Sequence, residues 1–458
     1  MNKFFNTICR LCVLTTLLVS CKKDALNVQQ PVGLGGDATV ATAIDKWILD
    51  SLTTPYNIEV KYKWDPANAS LYRTVTPTDE SKILPLLRIL KRLWITPYNE
   101  ASGSDLMMKK YAPKQLILLG SVEYDENGNG LAGSVVEGSG VINFLDVNQH
   151  FFPDPVKSTT EMILTVHHEF GHILHQNVRY PQDFIGTSQK LGLANYTSTW
   201  FNLPDGDYAL GQGYVTKYAL NIPDDDFVET IAYMLVDGKS KWEEKKASTN
   251  ATARQALQQK EDYVVAYYRQ AWNIDFYMLQ TRVQAGLKAL YPPPAVLDVF
   301  GYGKEYSTAS VNPANTAMLP QSAAFTTLFN SAKTALASVV SGGSSGRVLD
   351  SFDVYQYSPA SVLLECYFHA PASPSTQQAA VYLYTYAQDA NNVFTFTLAG
   401  NDPNGATFAT ALSPLLNYFS NNKFRLTWYA DPSTTLYPRI QFIPQSTPGA
   451  YFIARLLP

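Results

Sequence analysis

The chain has 458 residues, of which 46% are hydrophobic and 16% are charged, and its formal net charge is −4. This length favours two globular domains over a single hydrophobic core. Because phosphate binding needs clustered Lys and Arg and the chain has no basic runs, the composition excludes nucleic acid and leaves small molecules, peptides or proteins as partners.

The N-terminus has the pattern of an export signal. Residues 11–19 form an apolar run that follows positively charged residues and is too short to span a bilayer. A Leu-Val-Ser-Cys sequence that ends at Cys21 is similar to a bacterial lipobox. We therefore predict that residues 1–20 are a lipoprotein signal peptide, that Cys21 carries lipid, and that residues 21–40 form a flexible tether.

Residues 41–291 alternate between helical and extended patterns, which predicts an α+β domain. Apolar residues at helical spacing predict helices over Ala41–Leu52 and Lys82–Leu93. Short apolar runs predict buried strands over Gln115–Leu119 and Val141–Leu145. We expect Val141–Leu145 to be able to pair with an extended peptide, because it comes just before the motif that carries the chemistry.

That motif is His-Glu-x-x-His, which runs from His168 to His172. On a helix the two imidazoles point the same way and can bind one metal ion, while Glu169 reaches a water bound to the metal. The same five residues can also occur by chance on a solvated helix face. Apolar residues on both sides indicate a largely buried helix, so we favour a hydrolytic zinc site.

The neighbours of the motif indicate how its helix is built. Ser158 and Glu161 have the spacing of a capping box, which predicts that the helix starts just before the motif. His175 follows on the same face as His172, and we expect it to support the site or to pack rather than to bind the metal. His167 points to another side of the helix.

A catalytic zinc usually takes three protein ligands and leaves one position open. Candidates for the third ligand lie in a helix that is predicted over Pro223–Val236 and stopped by Gly238. The first turn of this helix is acidic, as the helix dipole favours. Asp225 and Glu229 lie four residues apart on one face, so one can bind metal while the other orients a ligand histidine. Spacing alone does not decide between them, and acidic helix starts also occur without metal.

The pattern changes toward the C-terminus. A long helix is predicted over Thr252–Leu290, followed by a linker over residues 292–322 that is rich in Pro, Tyr, Ser and Asn. The remaining residues, 323–458, predict a β-rich α+β domain that opens with a helix over Ala323–Val340 and continues with strands. These strands are predicted over Val381–Ala387 and Val393–Leu398, which form a hairpin, and over Phe424–Tyr429 and Tyr451–Leu457.

Three tyrosines of the predicted hairpin alternate along one strand, and we interpret them as an outer stripe. Tyr382, Tyr384 and Tyr386 would then either pack on the neighbouring domain, which we favour, or bind sugar rings.

These motifs resemble a known family. The run His-His-Glu-Phe-Gly-His-Ile-Leu-His-Gln that begins at His167, followed by Tyr218 and by the Asp-Asp-Phe-Val-Glu that ends at Glu229, resembles the zinc-binding metallopeptidase lipoproteins of Bacteroidetes nutrient-import loci. These lipoproteins are of the substrate import-associated zinc metallohydrolase type. More distantly, the chain is similar to the gluzincin catalytic domain of anthrax lethal factor. The resemblance covers about residues 40–290.

The resemblance implies a zincin-like metallopeptidase domain over residues 41–291 and a role for each matching residue. It makes His168, His172 and Asp225 the zinc ligands and places Glu229 in support. It makes Glu169 and Tyr218 the catalytic residues, the first as general base and the second as donor to the developing oxyanion. Gluzincins usually have Glu where this chain has Asp225, which shortens the reach by one methylene.

We therefore predict a zinc peptidase that is anchored to the cell envelope, at the outer membrane, through lipid on Cys21. Its partners would be a peptide or protein substrate and an outer-membrane nutrient importer. The rival hypothesis is a non-catalytic accessory lipoprotein with a peptidase-like fold. The intact Glu169 argues against that rival because a structural metal needs no general base, while the tyrosine-rich second domain keeps it open.

Overall fold

A computed structural model describes residues 41–65, 75–124, 130–131, 134–136, 140–150, 154–204, 206–316, 318–341, 344–430 and 437–458. The predicted signal peptide, Cys21 and the tether lie outside the described residues. Ile48–Pro458 forms one unit, and residues 41–47 belong to another. Across the described part of the chain, no helix has the length and apolar character needed to cross a membrane.

The first two thirds of the chain are mainly helical. Its α-helices are Ala43–Ile48, Thr54–Tyr56, Glu80–Leu90, Thr96–Ser102, Leu106–Tyr111, Pro155–Asn177, Thr187–Lys190, Tyr208–Gly211, Pro223–Ala247, Ala251–Trp272, Phe276–Leu290 and Val296–Val299. The first predicted helix continues through a π-helical turn at Leu49–Thr53, and the second through another at Lys91–Ile95. We call Pro155–Asn177 the motif helix and Pro223–Ala247 the acidic helix.

A small sheet packs beside these helices. Its strands are β1 (Glu59–Lys61), β2 (Gln115–Leu118), β5 (Ser134–Val136) and β6 (Val141–Phe144), in the order β1-β2-β6-β5, while β3 (Glu123–Tyr124) and β4 (Gly130–Leu131) form a separate pair. β1, β2 and β6 run parallel, and β5 runs antiparallel to β6. Because β6 is paired on both sides, the prediction that it receives a peptide is wrong, and β5 holds that edge of the sheet.

The helices depart from the predicted boundaries for local reasons. The motif helix starts at Pro155 rather than near Ser158, because Asp154 is the N-cap and accepts hydrogen bonds from the amides of Val156 and Lys157. The single predicted helix over 252–290 is two helices, since Asn273 adopts a left-handed conformation and Asp275 caps the second.

The acidic helix begins at Pro223 as predicted, and it continues to Ala247 instead of stopping at Gly238. Gly238 has φ 74° and ψ 172°, so it kinks the helix without ending it. Gln284 donates to the carbonyls of Leu235 and Val236, which the kink leaves without helical partners.

The C-terminal part is a closed barrel of eight antiparallel strands in the order β10-β11-β12-β13-β14-β15-β16-β7. In chain order, these strands are β7 (Thr308–Val311), β10 (Val348–Ser358), β11 (Ser361–Ala370), β12 (Ser373–Gln388), β13 (Val393–Asn401), β14 (Lys423–Trp428), β15 (Arg439–Pro444) and β16 (Phe452–Leu457). A separate short pair, β8 (Val340–Ser341) and β9 (Ser344–Ser345), precedes β10. The predicted hairpin of β12 and β13 is confirmed. The segment predicted as a linker contains β7, which pairs with both β10 and β16 and closes the barrel.

Two helices, Ala323–Ala337 and Pro403–Asn421, pack against the inner face of the barrel. The outer tyrosine stripe is therefore wrong, because Tyr382 and Tyr384 point inward and are only 1% exposed, and Tyr386, on the same face of β12, packs against the barrel core. The hydroxyls of Tyr382 and Tyr384 donate to the carbonyls of Gly405 and Leu416 in the second helix. Alternation with a period of two distinguishes the faces of a strand without saying which one is inside.

Candidate metal centre

The motif helix is held in the core on one side and carries the two motif histidines, His168 and His172, on the other. Phe170, between the two motif histidines, is fully buried and makes edge-to-face contacts with Trp94 and Tyr98. Gly171 faces the acidic helix so closely that a Cβ there would lie 2.9 Å from Cγ1 of Val228. The missing side chain therefore lets the acidic helix approach the motif histidines.

His168 and His172 present their Nε2 atoms to each other at 3.1 Å, and both side chains are buried. Two ligands at about 2.0–2.1 Å from a tetrahedral zinc are about 3.3 Å apart, so this pair has the spacing of two zinc ligands. His168, Glu169 and His172 each offer one ligand atom within 4.8 Å of the others.

Asp225 lies next to this pair. Its Oδ1 is 3.4 Å from Nε2 of His172, and its Oδ2 accepts a hydrogen bond from Asn221 at 2.7 Å. The residue is 2% exposed, and burying a carboxylate is costly without a partner. Asn221 thus leaves one oxygen of Asp225 directed to the histidines.

Glu229 contacts His168 from the other side of its ring. Its Oε1 accepts from Nδ1 of His168 at 2.9 Å, and its Oε2 accepts from the hydroxyl of Thr216 at 2.6 Å. A carboxylate can only accept, so it holds the proton of a neutral His168 on Nδ1 and leaves the Nε2 lone pair free for a metal. Burial lowers the pKa of His168, but the hydrogen bond and charge of Glu229 outweigh it and raise the pKa above its ordinary value.

His175 contacts the second candidate ligand, His172. Its Nε2 lies 2.9 Å from Nδ1 of His172, and burial lowers the pKa of His175 to about 4, so the ring is neutral near pH 7. A neutral His175 can accept the Nδ1 proton of His172. Its ring packs on that of Tyr180, whose hydroxyl donates to Asp224. This is the supporting position that the sequence predicted for His175.

His167 takes no part in the centre. It is fully buried, its ring lies 5.9 Å from that of Tyr98, and burial lowers its pKa to about 3.

Glu169 and Tyr218 both lie close to His168. The Glu169 carboxylate is 3.9 Å from Nε2 of His168, and the Tyr218 ring is 5.7 Å from the His168 ring. Tyr218 is 37% exposed and packs edge-to-face on Trp200. Burial, followed by the charges of nearby carboxylates, of which Asp225 is the largest, raises the pKa of Tyr218 well above its ordinary value, so it keeps its proton at neutral pH.

The donor set fits zinc. Two imidazoles and a buried carboxylate are ligand types found at three-ligand catalytic zinc sites, and the two spacings, 3.1 Å and 3.4 Å, bracket the spacing expected for zinc. In both histidines, Nδ1 faces away from the other histidine. Nδ1 of His168 contacts Glu229 and Nδ1 of His172 contacts His175. Such outer contacts are usual for metal-binding histidines.

A cavity of about 330 Å³ lies along the N-terminal half of the motif helix. Its wall includes Lys157, Glu161 and Thr165 on the helix and Phe144–Asp146 at the end of β6. Thr165 precedes Glu169 by one helical turn, about 6 Å. The cavity therefore follows the same helix toward the metal centre.

Two residues of the centre were not predicted from the sequence. Asn221 has a weak signal, since it precedes Asp225 by four residues, although it stands before the helix begins. Thr216 has no periodic relation to Glu229, and only the path of the loop between them brings its hydroxyl to the carboxylate.

Next to the metal centre, a buried ion pair fixes the start of the acidic helix. Asp226 and Lys260 are both 0% exposed, and their charged atoms are 2.7 Å apart. Lys260 also donates to the carbonyl of Gly213, and Tyr196 donates to Asp226. Because Asp226 follows Asp225 directly, these contacts fix the backbone that carries the third candidate ligand.

A model of a family described as putative zinc-binding metallo-peptidase matches residues 37–277, more than half of the chain. Among solved structures, the chain is similar to a putative zinc-binding metallo-peptidase from Bacteroides caccae, with 27% sequence identity and a TM-score of 0.46, over 54% of this chain and 92% of that one. No curated protein matches the chain. The matched range contains every residue of the centre described above.

Proposed function

The chain belongs to the family of putative zinc-binding metallo-peptidases, and on that premise we propose that it is a zinc-dependent peptidase with a gluzincin-like site. The observation that carries the proposal is the facing pair of Nε2 atoms at 3.1 Å with Glu169 beside it. His168, His172 and Asp225 would hold the zinc.

When bound, zinc would supply Lewis-acid polarisation of a peptide carbonyl and a lowered pKa for water at the site. Glu169 accepts the proton of the attacking water and passes it to the leaving nitrogen. Tyr218, which keeps its proton at neutral pH, donates a hydrogen bond to the oxygen that becomes negative in the transition state. Glu229 and His175 hold the two ligand imidazoles in orientation.

The cavity beside the motif helix is our candidate for one side chain of the substrate. Its lining reaches Thr165, one helical turn before Glu169, and its wall mixes apolar groups such as Met162 with the charges of Lys157 and Glu161. An extended peptide would add to the edge strand β5, because β6 is already paired on both sides.

We further propose that the protein is a lipoprotein of the cell envelope, anchored at the outer membrane through Cys21, and that it works beside a nutrient importer. The lipobox-like sequence before Cys21 and the resemblance to lipoproteins of import loci support this placement. The competing proposal is an accessory lipoprotein that binds metal without catalysis. The presence of Glu169 favours the peptidase, since a purely structural metal site needs no general base.

The test is the variant Glu169→Gln in the chain that lacks its signal peptide and Cys21. Glu80→Gln, on an exposed helical site, is the matched control. We expect Glu169→Gln to keep its zinc and to lose nearly all cleavage of a peptide library, because the ligands stay and the base is removed. Zinc is measured by mass spectrometry, and cleavage is measured with and without chelator. Equal cleavage by Glu169→Gln and wild type would contradict the proposed mechanism, and a wild type that binds zinc without cleaving any peptide would favour the accessory protein.

A further inference from the structure

The barrel has a cavity of its own, far along the chain from the metal centre. It has a volume of about 220 Å³ and lies at one mouth of the barrel, under the segment 297–304. On β12, Tyr382 and Tyr384 contact the inner helix Pro403–Asn421, whereas Tyr386, the next inward residue, lines this cavity. The cavity therefore occupies the part of the barrel interior beyond that helix. Barrel mouths are common positions for ligand sites.

Aromatic rings form much of the wall of this cavity. Those that the argument uses are Phe300, Tyr386, Phe394, Phe396 and Phe442. A pocket of this size is smaller than the roughly 300–1,000 Å³ typical of sites for drug-sized ligands. The wall therefore suits one flat, mainly apolar ring.

Gln356 breaks the apolar pattern inside the barrel. On β10 the inward positions before it are Phe352 and Val354, and Gln356 is the next, with 8% of its surface exposed. Its side-chain amide has no hydrogen-bond partner among the described residues, and it lines the cavity. An accessible amide in an otherwise apolar wall can both donate to and accept from a ligand, so it indicates a ligand group that does both.

One charged side chain, Lys304, is present among the described residues that line the cavity. It is exposed at the rim, it is in no ion pair among the described residues, and no carboxylate lines the cavity beside it. This charge favours an anionic group at the outer end of the ligand.

We propose that this cavity, which we call the barrel-mouth site, binds a small aromatic carboxylate with a hydroxyl at its far end. The ring would lie between Phe394, Phe396 and the other aromatic side chains. The hydroxyl would donate to and accept from the Gln356 amide, and the carboxylate would face Lys304 at the rim. This site needs no zinc and does not depend on peptidase activity.

The probe is 3-(4-hydroxyphenyl)propionate, titrated calorimetrically into the chain that lacks only its signal peptide and Cys21. Three compounds are titrated for comparison: 3-phenylpropionate, which lacks the hydroxyl, 4-propylphenol, which lacks the carboxylate, and D-glucose. Each titration is repeated with chelator, because a carboxylate can also bind zinc. The variants are Gln356→Leu and Lys304→Met, with Lys333→Met on the exposed side of the helix Ala323–Ala337 as control.

We expect saturable binding of one probe molecule per chain, unchanged by chelator and by Lys333→Met. Removal of the hydroxyl should weaken binding about 2- to 10-fold in the wild type and not in Gln356→Leu, as expected for one hydrogen bond. Lys304→Met should weaken binding of the carboxylate about 2- to 5-fold and leave binding of 4-propylphenol unchanged, as expected for an exposed charge pair.

Several results would overturn the proposal. Binding that disappears with chelator would belong to the metal centre, and binding unchanged in both variants would lie elsewhere on the surface. Tighter binding of D-glucose than of the aromatic probes would make the site one for carbohydrate. If no probe binds saturably, and all variants are as stable as the wild type, the cavity does not bind small aromatic carboxylates.

Discussion

Asp225 and Glu229 differ in what holds them, although they lie four residues apart on one helix face. Asp225 has one oxygen on Asn221 and the other toward His172, whereas Glu229 has one oxygen on Thr216 and the other on Nδ1 of His168. Glu229 thus contacts the side of a histidine that faces away from the second histidine. Its contacts are those of a residue that orients a ligand.

Alanine at each of these positions separates the two roles. We expect Asp225→Ala to purify essentially without zinc, because a ligand is lost. We expect Glu229→Ala to bind zinc about 10- to 100-fold more weakly, the usual cost of removing a side chain that orients a ligand, and to be less active. Zinc content and a competition titration with a chelator measure both effects. Normal zinc in Asp225→Ala together with none in Glu229→Ala would exchange the two assignments.

At the scale of elements, one buried carboxylate joins three helices of the N-terminal part. Glu261 of the helix Ala251–Trp272 accepts from Lys239, Lys246 and Trp242 of the acidic helix and from Tyr277 of the helix Phe276–Leu290. Burial raises the pKa of Glu261, but the two ammonium groups outweigh it and hold the pKa at about 2. The kinked acidic helix is thereby fixed to both neighbours.

This network predicts a pH dependence of stability. The pKa of Glu261 falls from an ordinary 4.5 to about 2 on folding, so its ionised form contributes on the order of 3 kcal/mol to the free energy of unfolding at neutral pH. That contribution is present above pH 4.5 and is lost as the pH falls toward 2. We expect the stability difference between wild type and Glu261→Gln to shrink over this range, in urea unfolding of the zinc-free proteins.

The control for this experiment is Asp262, the exposed residue next to Glu261. Asp262→Asn removes a carboxylate from the same helix turn, and we expect its difference from wild type to stay small and nearly constant with pH. A Glu261→Gln difference that is equally large at pH 7 and pH 3 would show that Glu261 titrates normally in the folded chain.

At the scale of the whole molecule, the barrel is joined to the acidic helix by a buried ion pair. Arg439 of β15 lies 2.8 Å from Glu244, and the side chains are only 5% and 1% exposed. The backbone amide of Tyr437 donates to the same carboxylate. Breaking one partner of such a pair leaves an uncompensated buried charge, so the two parts are held in a defined arrangement.

The closure of the barrel predicts which C-terminal fragment folds. β7 pairs on both sides, and Val296, Phe300 and the inward residues of β7 belong to the barrel core. We expect residues 294–458 to give a cooperative thermal transition by circular dichroism, and residues 323–458 to be far less stable because the barrel is open. Equal stability of the two fragments would contradict the role given to β7 and support a domain that starts at residue 323.

The predicted lipid anchor concerns the whole molecule as well and rests on residues outside the described part of the chain. We expect Cys21→Ala to move the protein from the membrane to the soluble fraction of cells, because the lipidated residue is lost. Cys12→Ala, within the predicted signal peptide, is the matched control and should stay with the membrane. Unchanged detergent partitioning of Cys21→Ala would refute the lipobox assignment.

The sequence by itself determined the features that depend on local geometry. A helix places residues four apart on one face, so His168 and His172 could be paired, and Asp225 and Glu229 recognised as alternatives, without any tertiary information. The start of the acidic helix at Pro223 and the hairpin of β12 and β13 also follow from neighbouring residues.

The tertiary structure decided everything that depends on contacts between distant residues. The separate contacts of Asp225 and Glu229 exist because Gly171 lets two helices approach closely, and spacing within one helix carries no such information. The inward direction of Tyr382 and the place of β7 in the barrel were set by ring closure, which pairs strands far apart in the chain. Period-two alternation marks two faces of a strand, and only packing of the whole barrel decides which face is buried.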